Sequence, residues 1–228
     1  MSNFTRLSVI ALALVAAFTV SSCGDDNGPT APRLKANVMA VHASPDAPGV
    51  DLLVDNAVAG TNLTFPNNTP YLEVGAGTRN VKVNVTGTST TVIEADLPLT
   101  AGAHYSVFAT GAVADIAPLV VADDLSTPAS GKAHVRFVHL SPDAPAVDVA
   151  VTGGPVLFAN QAFRGHTAFA PVDAGTYDLE VRLAGTSTVV LPLPGISLTA
   201  GKIYTVFARG FVGGAGAQAL GAQIIVNN

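Results

Sequence analysis

The segment His42-Ala-Ser-Pro-Asp-Ala-Pro48 returns 97 positions later as His139-Leu-Ser-Pro-Asp-Ala-Pro145. Three more landmarks return in the same order. Ala76-Gly77-Thr78 recurs as Ala174-Gly175-Thr176, and Gly87-Thr-Ser-Thr90 as Gly185-Thr-Ser-Thr188. Tyr105-x-Val107-Phe108-Ala109 recurs as Tyr204-x-Val206-Phe207-Ala208. A period of this length exceeds the roughly 20–50 residues of solenoid repeats and has the size of a small domain. The spacing therefore predicts two copies of one unit, residues 36–124 and 132–228, joined by a polar Pro- and Gly-bearing linker over 125–131. Each copy is long enough to bury a core of its own without cross-links.

Within each copy the pattern is that of strands. Val81, Val83 and Val85 alternate with Asn80, Lys82 and Asn84; in the second copy Leu179, Val181 and Leu183 alternate with Asp178, Glu180 and Arg182. Period two with one apolar face marks a strand buried on one side. The outward residue reverses its charge from Lys82 to Glu180, so this outer face is no shared binding surface. Further strands are expected at 37–43, 50–55, 91–97, 104–110 and 117–122. Their counterparts fall at 133–140, 147–152, 188–193, 203–209 and 220–227. Only 12% of residues are charged, against about 25% in an average soluble domain. No stretch carries a helical period. The expectation is all-β: two tandem immunoglobulin-like or related β-sandwich domains, with strand order undetermined.

The N-terminus has the layout of a signal peptide over residues 1–22. Arg6 is followed by an uncharged, largely apolar run from Leu7 to Val20, shorter than the ~20 residues a membrane-spanning helix needs. Val20-Ser21-Ser22-Cys23 resembles the bacterial lipobox, whose cysteine is lipidated. Cys23 is the only cysteine of the chain, so it has no partner for a disulfide. Residues 23–35 then read as the lipidated cysteine and a flexible polar tether. These features imply an exported, lipid-anchored protein of the cell envelope, held at a membrane through Cys23. The other partner is an unidentified envelope protein or surface ligand. The net charge of −5 and scattered basic residues argue against nucleic acid.

The duplicated heptapeptide is the most specific motif. Pro45 and Pro142 preset the turn, while Ser44, Asp46, Ser141 and Asp143 can bond nearby backbone amides. Pro48 and Pro145 stop the turn from continuing into helix. Alternation places His42 on the face of Val38 and Ala40, and His139 on the face of Val135 and Phe137. Both imidazoles are thus expected inside, bonded to their own turns. This motif, followed by Val50-Asp51 or Val147-Asp148, resembles the signature of the DUF4397 family of extracytoplasmic bacterial and archaeal domains. The resemblance covers nearly all of 36–228 and implies an exported β-domain without an assigned activity.

A second reading makes a metal or hydrolytic site from His42, Asp46 and Asp51, and again from His139, Asp143 and Asp148, since one imidazole and two carboxylates can hold a divalent ion. His104, His134 and His166 have no repeat partner and read as surface residues. Tyr105 and Tyr204 recur in place and are expected to pack with the phenol at the rim. No nucleophile elbow, P-loop, dinucleotide fingerprint or Cys-rich metal pattern occurs. Gly210–Gly221 has neither the lysine nor the helix of a phosphate loop and reads as a turn between the last two strands. The expectation is a non-catalytic structural, adhesive or ligand-binding module, with no catalytic residue, metal or cofactor.

Overall fold

A computed structural model describes residues 34–228. The expected signal peptide, the lipidation site Cys23 and all of the tether but Leu34 and Lys35 lie outside the described residues. The described residues form one compact unit. Its first eight strands are β1 (Lys35–Ala43), β2 (Val50–Val54), β3 (Ala57–Leu63), β4 (Leu72–Gly75), β5 (Gly77–Val85), β6 (Thr91–Leu99), β7 (His104–Thr110) and β8 (Ala117–Asp123). The next eight are β9 (Lys132–His139), β10 (Val147–Val151), β11 (Val156–Gln161), β12 (Ala170–Asp173), β13 (Gly175–Leu183), β14 (Val189–Leu198), β15 (Ile203–Arg209) and β16 (Gly221–Val226). Apart from two three-residue 3₁₀ turns, the described residues contain no helix.

Each half is a sandwich of two four-stranded sheets. The orders are β4-β1-β7-β8 over β3-β2-β5-β6, and β12-β9-β15-β16 over β11-β10-β13-β14. The second half thus repeats the strand order of the first. Pairing is antiparallel except for β1 with β7 and β9 with β15, which run parallel. The alternating residues meet where period two places them: Val38, Ala40, Val50, Leu52, Val81, Val83 and Val107 share the first core. Val135, Phe137, Val147, Val181 and Val206 share the second.

Expected and observed strands coincide except at β3, β4, β11 and β12, which the sequence pattern does not reveal. These strands lie at sheet edges and are largely exposed or half-buried. With little of either face in a core, they have no clean alternation to read.

The opposite face of β1, β7, β9 and β15 does not meet water. Met39, Val41, Ala43 and Phe108 pack with Val138, Leu140, Phe207 and Ile225 in a third core. Phe108 and Phe207 meet edge to face, with ring centroids 6.1 Å apart. The two β1- and β9-containing sheets are therefore stacked on each other, and four sheets lie in sequence. β1 and β9 are buried on both faces along most of their length; β1 carries the matching apolar run Val38–Val41, whereas β9 places Arg136 on the face toward the third core.

A buried polar network crosses this third core. Arg136 Nη1 lies 2.6 Å from Asp123 Oδ1, and neither side chain reaches water. Arg136 also donates to Thr205 Oγ1 and Ser106 Oγ, at 2.8 and 2.9 Å. Asp123 Oδ2 accepts from Ser106 and Tyr71, and Asn227 donates to the Tyr71 oxygen. Burial, and then the Asp123 charge, raise the Tyr71 phenol well above its ordinary pKa, so it stays a donor.

Candidate functional site

The duplicated heptapeptide makes the corner at which each chain half leaves one sheet and enters the other, from β1 to β2 and from β9 to β10. His42 and His139 are the last inward-facing residues before these corners, and both are completely buried. His42 Nε2 is 2.9 Å from Pro48 O, and His139 Nε2 is 3.1 Å from Pro145 O. A carbonyl only accepts, so Nε2 carries the proton and donates. Burial pushes both imidazoles below the ordinary histidine pKa, against the weaker pull of the carbonyls. Each is therefore a neutral ring clasping its own corner.

The acidic residues of the motif act at a distance. Asp46 Oδ1 accepts from Val113 N at 2.8 Å, and Asp143 accepts from Val212 N at 3.0 Å. These amides lie in the β7–β8 and β15–β16 loops, not in the turn itself, so the expectation of nearby partners is corrected. Tertiary folding brings the end of β7 beside the end of β1 through their parallel pairing. Ser141 Oγ donates to Gly210 O at 2.6 Å, whereas Ser44 Oγ is buried without a hydrogen-bond partner.

Asp51 and Asp148 serve the outer sheets. Asp51 accepts from Asn62 N, Thr86 Oγ1 and Gly87 N, at 2.8, 3.0 and 3.2 Å. Asp148 accepts from Asn160 N at 2.6 Å and Gly185 N at 2.9 Å. The backbone donors, Asn62 and Asn160 first, hold both carboxyls below the ordinary aspartate pKa. The trios His42/Asp46/Asp51 and His139/Asp143/Asp148 are thus bonded to three separate parts of the scaffold. Among the described residues, no three His, Cys, Asp or Glu side chains converge as metal ligands would.

Of the remaining histidines, His166 is exposed and His134 half-exposed. His104 is only partly exposed, because Tyr71 packs against its ring edge to face at 5.2 Å. Tyr105 and Tyr204 pack as strand aromatics, and their hydroxyls accept from Thr100 N and Thr199 N at 3.1 and 3.0 Å.

Both corners lie at one end of the unit. Arg164 N donates to His139 O, while its guanidinium Nε donates to Thr110 Oγ1 at 2.9 Å. Thr110 pairs with Ala43 at the end of β1. Leu34 precedes the other end of β1, some 26 Å away at about 3.3 Å per residue. Beside the second corner the β10–β13–β14 sheet and the β15–β16 loop enclose a cavity of about 400 Å³.

A match to the family described as a domain of unknown function (DUF4397) covers residues 36–150. The chain belongs to the DUF4397 family. The DUF4397 match begins in β1, takes in both corner motifs, and ends in β10. No curated protein matches the chain. Among solved structures, a likeness is found to CBMbc, a family 26 carbohydrate-binding module of Eubacterium rectale Amy13K, crystallised with maltoheptaose. Identity is 10%, 84% of this chain and 96% of that chain are covered, and the TM-score is 0.28.

Sequence reasoning missed Arg136, Asp123, Tyr71 and Arg164. The available signal was the apolar Val138 on the Arg136 face and Met39 and Val41 on the matching face of β1. A solvent face has no need of them.

Proposed function

We propose that this DUF4397 protein is a lipid-anchored, non-catalytic binding module of the cell envelope, made of two tandem copies of one domain. One observation carries the reading: each candidate acid or base of the duplicated motif is already committed to a scaffold hydrogen bond. Acid–base chemistry needs a group within reach of a substrate proton, and a fully buried imidazole bonded to its own corner offers none. In this reading the histidines and acidic residues are structural, and ligand recognition belongs to the surfaces and cavities that the corners position.

In sequence the tether runs from Cys23 to the start of β1. Acyl chains on Cys23 supply the anchoring energy, at about 0.8 kcal/mol per buried methylene. The test is fractionation of cells expressing the full chain with Cys23→Ser. The unmodified protein is expected in the membrane fraction and resistant to a salt wash. Equal membrane retention of the Cys23→Ser protein overturns the anchoring.

A further inference from the structure

The two corners are built alike, but only the second opens into a sizeable cavity. In the first half the space beside His42 amounts to about 30 Å³, enough for a single water. The cavity beside His139 holds about 400 Å³, within the range of small-molecule sites.

Two sequence differences account for this. Val50 of β2 faces Leu63 in β3, and the Leu63 side chain fills that end of the first sandwich. The matching residue of the second half is Gln161, whose amide turns away to donate to Ala159 O at 2.7 Å. The second difference is the connection before the last strand. Thr110 pairs with Ala117 across the β7–β8 loop, whereas Arg209 pairs with Gly221. The second loop is thus longer by five residues. The excess lies in Gly213-Gly-Ala-Gly-Ala217, the Gly-rich stretch that is no phosphate loop. Ile116 closes the short loop onto the first core, but Leu220 after the long loop stands at a cavity wall.

The lining is hydrocarbon: Val147, Val181, Leu183, Leu191, Ala208 and Leu220. No Asp, Glu, Lys or Arg lines it. Its polar side chains are His139, clasped to Pro145 O, and Ser141, bonded to Gly210 O. At the mouth Val190 and Val212 are 36% and 52% exposed. Such a wall leaves a charged group without a partner, and charge is costly to bring into it.

We propose that this cavity binds a small, uncharged, mainly hydrocarbon molecule, and that the Gly-rich insertion creates the site in the second half alone. The inference rests on the reading of the chain as a binding module and names the class of its ligand.

The test uses chain lacking residues 1–22 and carrying Cys23→Ser, which retains the whole compact unit. N-phenyl-1-naphthylamine, an uncharged apolar fluorophore, is titrated against it. Saturable binding of one probe per chain is expected. Val190→Asp and Val212→Asp, at exposed positions, should each weaken it about tenfold, or by about 1.4 kcal/mol. Val212→Trp, which covers the mouth without adding charge, should also weaken it. Val92→Asp and Val113→Asp, the first-half counterparts, should leave it unchanged. Absence of saturation, or equal losses from first-half and second-half variants, overturns the pocket. Either failure leaves the Cys23 fractionation result standing, so the two readings fall separately.

Discussion

At the scale of single residues, the two buried histidines tie stability to pH. Both have folded-state pKa values below the ordinary 6.5. The unfolded chain therefore takes up protons that the folded chain refuses, and stability rises with pH across that interval. The contribution is complete above about pH 6.5 and is lost as pH falls toward the folded values. Thermal melts between pH 7.5 and 5 should show a falling midpoint, and His139→Gln should reduce the slope. A slope unchanged in that variant sinks the linkage. At neutral pH His139→Ala should cost about 2–4 kcal/mol, from the vacated volume and the stranded Pro145 carbonyl. The inward position of these rings was legible from alternation along β1 and β9. The amide partners of Asp46 and Asp143 were not, because they lie 67 and 69 residues away.

At the scale of elements, the corners and the loops opposite them form one fastening. Gly210 ends β15 with φ +83°, and a Cβ there would sit 2.2 Å from Ala219 O. Its own carbonyl accepts the Ser141 hydroxyl. Gly210→Ala should therefore force the β15–β16 loop open at a cost of about 2 kcal/mol or more. Gly111, its counterpart, meets Asp115 O at 2.9 Å, so Gly111→Ala should cost less. Comparing the two melting midpoints checks this, and a larger loss at Gly111 contradicts it. The central strands were legible because each carries a Val-rich face at period two. The edge strands β3, β4, β11 and β12 were not, because backbone pairing rather than side-chain burial holds them in place.

At the scale of the molecule, the interface between the halves departs from their likeness. Arg136 occupies the place that Met39 takes in the first half. Asp123, the last residue of β8, pairs with His104 at the start of β7 and corresponds to Asn227, whose backbone amide bonds Ile203 O at the start of β15. One side supplies the cation and the other the anion, so each half complements its neighbour better than a copy of itself. Removing one partner leaves a buried charge, and Arg136→Ala should cost about 3–5 kcal/mol. Replacing both, as Arg136→Met with Asp123→Asn, restores the residues of the opposite half and should cost less than either single change. Denaturant melts of the four proteins give the coupling directly. Additive losses would show that the pair is not coupled.

The sequence by itself determined the all-β class, the central strands and the proline corners. These follow from local rules: side-chain period, β-branching and the fixed φ of proline. Only the tertiary structure decided that the two sandwiches stack, that Arg136 is buried and that one corner opens into a cavity. Alternation says that a face is apolar, but not what covers it. Whether space remains at a corner depends on residues far apart in the chain, here Gln161 and the loop before Leu220.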